Sequence, residues 1–499
     1  MAYQLYWGDL HSHCSISYGL GTVEQALARA REQLDFCSIT GHAFWPDMPT
    51  DRSRYGEIID YHNEGFVRLA KNWPDLIAKQ GAGSTDGEFL AFPSYEWHSL
   101  KYGDHNVYSR GPKLDLKDAV DLRALRNMAK EADAIIIPHH IGYAAGYRGI
   151  DWNYFMPDQT PFVEIHSLHG CSLSEDSPFP MLHDMGPRDY GSTAVAGWLS
   201  GHRFGVVGGT DHHGAYPGSH GDGRMGVFAT SLTRDAIWEA FLARRVYAAT
   251  GDKIEAKMFI DDAWIGSEIK SSGKRTIRVS VHASDAIDRV ELLKNERVLK
   301  RFYTDAAPSS SNQHKLRVTW GWGRKDEPVP WQARLFLSNG RINRVETCFS
   351  GQSVAAPQGI GGHTVNADAQ DLPHAIIEHT DRECSWRSIT TGNLSLRHPT
   401  TQAISFEIDT SPNSVVTLDV NQQRYAFELQ ELLHAGRTRY LRGWLSEAVR
   451  IGPAIPLECC SVEAESLDEG TEAVDMYRLQ VFEKNGQVAW LTPIWVQQT

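Results

Sequence analysis

Cysteine is scarce in this sequence and never spaced for pairing: seven residues among 499, an odd number, with no Cys-x-x-Cys. That argues against a disulfide framework and a closed cysteine-rich zinc site, and fits a reducing, cytoplasmic setting. Long hydrophobic runs are missing too: no apolar stretch reaches the roughly 18 residues that a membrane-spanning helix needs. The first nine residues carry neither a basic region nor a long apolar segment, so no secretory leader is read there. Basic excess is absent as well, with 49 Lys and Arg against 62 Asp and Glu and a net charge of −13. A nucleic-acid surface would want the opposite sign. The partner expected is therefore a small-molecule substrate, with no nucleic acid and no membrane, and a homo-oligomer is left open. No Gly-x-Ser-x-Gly elbow occurs, which counts against a serine hydrolase.

What is present is an ordinary globular composition, 41% hydrophobic and 22% charged, on a chain long enough for two or three domains. Histidine is unevenly spread: 15 of the 22 fall before residue 263. The first stretch to carry them is Gly8-Asp9-Leu10-His11-Ser12-His13, where two imidazoles stand two apart just after a short apolar run. In extended backbone, residues i and i+2 project on one face, so both rings can reach one ion.

The pattern repeats along the first half. Residues 22–34 read as a helix capped by Thr22, and 36–40 as a buried strand ending at Gly41-His42. Strand, helix, strand in so short a space predicts parallel pairing. A longer helix over 55–80 is expected to break at Pro74. Strand 89–94 ends in Tyr95-Glu96-Trp97-His98, strand 104–109 carries His105, and a helix over 116–132 precedes strand 134–138, which ends in His139-His140. Strand 161–165 leads to His166 and His169. A helix over 192–201 leads to strand 204–208, which ends in Thr210-Asp211-His212-His213. Strand 225–230, helix 233–243 and strand 245–249 complete this half. In α/β folds, functional residues gather where strands end, and here His or Glu does so repeatedly.

From about residue 253 helices thin out and alternating strands take over, at 275–281, 332–337, 403–408, 415–420 and 477–482. These predict a sandwich-like β region. The division expected is 1–252 as a metal-binding α/β domain, 253–354 and 375–499 as two parts of a β-rich region, and 355–374 as a linker or long loop. Trp320, Trp322, Trp331 and Trp386 could stack on a ligand if this tail were a binding module on an inactive first half, although core packing is the commoner role.

The candidate metal ligands are His11, His13, His42, Glu96, His105, His139 or His140, Asp211 and His213. Imidazoles mixed with carboxylates suit Zn, Mn or Fe, whereas Mg and Ca prefer all-oxygen shells. There are too many for one tetrahedral ion. Two ions bridged by a carboxylate, Glu96 being the best placed, would use them and would supply a metal-activated hydroxide for hydrolysis. His140 and His169 are candidates to protonate a leaving group, and Arg148 and Arg224 to clamp an anionic substrate. His166, His183, His202 and His220 read as structural.

These motifs resemble, in order, those of the PHP (polymerase and histidinol phosphatase) superfamily. The match runs through Gly8 to His13, Leu34 to His42, Tyr95-Glu96-Trp97, His105-Asn106-Val107-Tyr108, Pro138-His139-His140 and Asp211-His212-His213. Glu164-Ile165-His166-Ser167-Leu168-His169-Gly170 and the stretches 244–251 and 485–495 are similar to the branch that includes carbaryl hydrolase-like metallohydrolases. The resemblance covers residues 5 to about 268. It implies a distorted (β/α)7 barrel with two or three divalent ions. His11, His13, Glu96 and Asp211 would hold one, Glu96, His105 and His139 the second, and His42 and His213 belong to a third. It implies phosphoester hydrolysis, with carboxyl ester or carbamate cleavage as the alternative. Two departures stand out: Gly41 replaces an acid, and Ser17-Tyr18-Gly19 stands where another His or Asp is usual. Both leave the third site short of ligands.

Overall fold

The computed structural model describes residues 3–181, 185–304, 311–323, 327–351, 374–391, 401–411, 413–444 and 446–499. The chain is α/β, with many strands and few helices. Its opening strand β1 (Gln4–Asp9) lies between two kinds of neighbour. On one side β2 (Phe36–Ser38) runs parallel to it, and β4 (Leu90–Phe92) runs parallel to β2. On the other side lie the antiparallel strands Arg224–Ala229 and Val246–Ala249. The crossover from β1 to β2 is the expected helix, α1 (Val23–Arg31), in which Thr22 and Gln25 form a capping box that satisfies the first free N–H groups.

A second sheet holds β3 (Gly41–Phe44), β5 (Ser94–Trp97), β6 (His105–Ser109) and β7 (Ala134–Pro138). A third pairs Phe162–Ser167 in parallel with Gly205–Gly208. The strands of the first half therefore divide among three hydrogen-bonded sheets. Most are buried at every position, which is why they read as continuous apolar runs rather than as alternation.

Two local expectations change. The helix expected to break at Pro74 runs unbroken as α2 (Arg52–Ala82), with the proline inside it. An interior proline costs about 3 kcal/mol. The buried side chains of Leu69, Trp73 and Leu76, and the bond from Trp73 Nε1 to the Leu114 carbonyl at 2.9 Å, hold that turn in place. The helix expected from residue 116 starts later, at α3 (Leu122–Glu131), where Asp121 accepts the N–H of Ala124.

The later strands do not form one block after residue 252. The described residues of 313–456 build two antiparallel sheets around a shared core that includes Leu335, Phe406, Val416 and Val449. Three of the strands after them return to the first half: Val474–Glu483, Val488–Leu491 and Ile494–Gln498 join the β1 sheet, with Tyr247, Ala248 and Ala249 opposite Leu491, Trp490 and Ala489. A cut at 252 would run through this sheet. Trp320, Trp331 and Trp386 are buried in the core of the 313–456 sheets, so they pack rather than present faces to a ligand, while Trp322 is partly exposed. The expected loop 355–374 lies outside the described residues except for His374, as does His183. Among the described residues no helix is long and apolar enough to cross a membrane, and the seven cysteines are free.

Candidate metal centre

The centre is built where β1 and Gly205–Gly208 run out. Asp9, fully buried, fastens the two segments together. One carboxylate oxygen accepts the N–H groups of His11 (2.9 Å) and Thr210 (3.0 Å), and the other accepts the Thr210 hydroxyl (2.6 Å) and the Gly218 N–H (2.8 Å). Residues 11–13 and 211–213 then lie side by side in parallel. Asp211 donates its N–H to the His11 carbonyl at 2.8 Å, and His13 donates its own to the His212 carbonyl at 2.9 Å. This brings the Asp211 carboxylate to the histidine pair: its Oδ1 is 2.9 Å from His13 Nε2 and 3.3 Å from His11 Nε2.

Glu96, near the end of β5, is the hub. Its Oε2 lies 2.8 Å from His42 Nδ1, 3.5 Å from His13 Nε2 and 3.9 Å from His11 Nε2; its Oε1 lies 3.3 Å from both His139 Nε2 and His98 Nδ1. Despite these contacts Glu96 Oε2 has no hydrogen-bond partner, and neither do His11 Nε2, His13 Nδ1, His140 Nδ1 or either ring nitrogen of His139.

His105 does not join them. In the antiparallel pairing of β5 with β6, Glu96 stands opposite Asn106 and Trp97 opposite His105. Directly opposed residues share a sheet face and successive residues alternate, so His105 is on the other face from Glu96. Its Nδ1 donates to the Gly103 carbonyl at 2.9 Å, and its ring packs edge-on against Trp97. The residue before it takes the place expected of it. Asp104 groups with Glu96, His139 and His140, all with ligand atoms within 4.8 Å of one another. Both His139 and His140 belong to this group.

His42 and His213 meet at a separate point, Nε2 to Nε2 at 3.2 Å, and group with His13. Where another ligand is usual, the Tyr18 ring lies flat on His42, 3.6 Å between centroids and 6° between planes. Gly65 of α2 makes room for it, since a Cβ there would come within 2.3 Å of Tyr18 Cδ1. A histidine outside the expected set stands nearby: His98 Nε2 is 3.2 Å from His42 Nδ1, and His42, Glu96 and His98 form a further group of possible donors. Its position two residues after Glu96 was the available signal.

The remaining candidates separate. His140 Nε2 is 3.4 Å from Asp104 Oδ2, and His169 Nε2 is 3.1 Å from Asp211 Oδ2, so both border the cluster. Arg148 does too, but its guanidinium is engaged by Asp104, with Nη2 also 2.8 Å from His98 Nδ1. Arg224 lies elsewhere. It is fully buried in its strand and donates to the Gly218 carbonyl and to Gln33 Oε1 at 2.8 Å, bracing the loop that Asp9 holds, with no exposed face for a substrate. His220 likewise serves structure, 2.6 Å from Asp252.

Burial and charge oppose each other throughout. Burial alone would raise the carboxyls, yet His42, His98 and His139 hold Glu96 well below the usual carboxylate range, and His11, His13 and His169 do the same for Asp211. Asp104 is raised by burial and pulled well below by Arg148 and His98. Burial pushes His42 and His139 well below the usual imidazole range. Against its burial, His11 goes the other way, held well above the usual imidazole range by Asp211 and Glu164, so the result is anionic carboxylates among buried imidazoles of mixed protonation. This donor set fits divalent cations: they would satisfy lone pairs that have no proton to share.

The family model that matches is described as "Protein of unknown function (DUF3604)" and covers residues 217–325. An uncharacterised protein of Chlamydia pneumoniae is 29% identical over 204 residues, 38% of this chain and 32% of that protein. An uncharacterised protein of Chlamydia trachomatis is 29% identical over 174 residues, 32% of this chain and 28% of that protein. The chain thus spans about a third of the length of the curated relatives it matches. A solved structure from Bacteroides vulgatus, described as a two-domain protein containing a predicted PHP-like metal-dependent phosphoesterase, covers 85% of this chain and 95% of its own, at 14% identity and a TM-score of 0.31. At that score the likeness carries no argument about the site.

Proposed function

We propose that this chain is a metal-dependent hydrolase of the PHP kind, acting on a small phosphoester. The observation that carries the proposal is the buried, unpartnered donor set around Glu96. On this reading His11, His13, Glu96 and Asp211 hold one ion. Glu96, Asp104, His139 and His140 hold a second. His42 and His213, with His13, are the place for a third, and the strand ends that carry them form one face of a distorted barrel. Divalent Zn, Mn or Fe bound there would lower the pKa of water and polarise the oxygen that gains charge.

The chain's own contribution is to hold protons in fixed places. Asp211 is ionised and only accepts, so the proton between it and His169 sits on His169 Nε2. Tyr143 Oη lies 3.2 Å from His169 Nδ1 and can accept from a protonated ring. As an imidazolium held between Asp211 and Tyr143, His169 would carry a proton at the edge of the cluster that a leaving group can take. Arg148 neutralises Asp104 rather than reaching out for an anion, so a substrate clamp falls to other groups.

Elemental analysis of the purified protein, paired with a panel of aryl phosphate mono- and diesters, carboxyl esters and carbamates, tests the proposal. Two or more equivalents of metal with phosphoesterase activity support it. Turnover of carboxyl esters or carbamates alone moves the chemistry to that of the carbaryl hydrolase-like branch on the same site. Protein that binds no metal overturns it.

A further inference from the structure

Three buried histidines touch the Asp211 carboxylate, and the far nitrogens of two of them meet opposite chemistry. His169 Nδ1 faces a hydroxyl, Tyr143 Oη. His11 Nδ1 faces a carboxylate: Glu164 Oε2 at 3.0 Å and Oε1 at 3.2 Å. A hydroxyl can donate to a ring nitrogen, whereas a carboxylate can only accept from one. We propose that Glu164 is a positioning residue for the metal centre, fixing His11 with its proton on Nδ1 and its Nε2 lone pair toward Glu96 and Asp211. The inference rests on the metal-binding reading above and assigns a role to a residue outside its ligand set.

Three observations carry it. Glu164 is 97% buried on the strand Phe162–Ser167; burial raises its carboxyl to about 7, with His11 pulling it back toward the ionised form. Both its oxygens lie within 3.2 Å of the same ring nitrogen, and His11 Nε2 has no hydrogen-bond partner of its own. The backbone also reserves the space. A Cβ at Gly209 would come within 2.4 Å of Glu164 Oε2 and 2.9 Å of the His11 Cβ, so a side chain there would push the pair apart. A carboxylate behind a ligating imidazole fixes its tautomer and ring plane and makes it a stronger donor, and losing such a partner costs about 10- to 100-fold in metal affinity.

The test uses the full chain stripped of metal and titrated with Zn2+ or Mn2+ against a chromophoric chelator. Glu164→Met keeps volume and removes the acceptor; Glu164→Gln keeps an acceptor and removes the charge. The expected result is affinity about 10- to 100-fold weaker for Glu164→Met, with Glu164→Gln recovering part of the loss. Affinity of Glu164→Met within twofold of the wild type overturns the proposal, and so does a Glu164→Gln variant as weak as Glu164→Met. If Glu164→Met does not fold, Glu164→Asp decides, because one methylene less takes the carboxylate out of reach of Nδ1; unchanged affinity then overturns it. Wild-type protein that takes up neither ion removes the metal-binding reading itself, an outcome distinct from these.

Discussion

The Nε2 atoms of His42 and His213 face each other at 3.2 Å, while His213 Nδ1 lies 2.9 Å from the Asp211 carbonyl. A carbonyl only accepts, so a neutral His213 carries its proton on Nδ1 and turns Nε2 as an acceptor toward His42. With the donor atoms around Glu96, this gathers imidazole nitrogens and carboxylate oxygens in one buried place. Divalent ions should therefore stabilise the fold. At 100 times the dissociation constant, a single site adds about 2.7 kcal/mol. Thermal unfolding with a chelator, and again after adding Zn2+ or Mn2+, measures it; a melting temperature indifferent to both would remove the ions from the centre.

Asp104 and His105 are neighbours in sequence with opposite expected phenotypes. Asp104→Asn should weaken metal binding about 10- to 100-fold, because it removes an anionic oxygen beside Glu96 and His139. His105→Ala should leave metal stoichiometry at the wild-type value and cost roughly 1–3 kcal/mol of stability through the lost bond to Gly103. Elemental analysis of both variants decides. If His105→Ala loses metal and Asp104→Asn keeps it, the strand register has been misjudged.

Much of this centre could be read from the sequence because its residues recur at strand ends. His11, His13, His42, Glu96, His139, Asp211 and His213 all follow apolar runs, and Thr22, the cap of α1, precedes a plain helical pattern. What failed depended on pairing that lies outside any local stretch. Whether Asp104 or His105 faces Glu96 is set by the register of β6 on β5, and a shift of one residue swaps the faces. Arg224 reads as a clamp for an anionic substrate, but it sits in a strand, where only the fold reveals the Gly218 carbonyl it braces. The placement of residues 474–498 on the β1 sheet has no nearby cue at all.

Glu483 should make stability fall as pH rises. Burial pushes its carboxyl well above the usual range and the Asp252 charge pushes it further, while Arg317 pulls the other way. The folded chain keeps a proton that the unfolded chain releases above its ordinary value of 4.5. The group's contribution is thus full below that value and is lost as pH climbs toward the folded pKa, by up to about 1.4 kcal/mol per pH unit. Glu483→Gln keeps an oxygen for the N–H groups of Ser284 and Asp285 and needs no proton. Urea midpoints from pH 5 to 8 should decline less in this variant than in the wild type. Parallel curves would mean that Glu483 titrates normally.

Gly209→Ala should destabilise the fold by about 1–3 kcal/mol, the usual cost of overpacking, because its methyl meets Glu164 and His11. Metal affinity should fall with it. A variant as stable as the wild type would show that the 209–211 turn can move aside.

The pairing of Val246–Ala249 with Val488–Leu491 bears on how the chain is made. Ala249 leaves the ribosome with its partner Ala489 still about 240 residues from synthesis, a wait on the order of ten to fifty seconds at usual elongation rates. Through that interval the strand carries an unmatched edge, while the intervening 313–456 sheets can close on their own core. The nascent chain is then most exposed to mispairing at Val246–Ala249, and crowded polysomes are where a chaperone or a neighbouring copy would first find it.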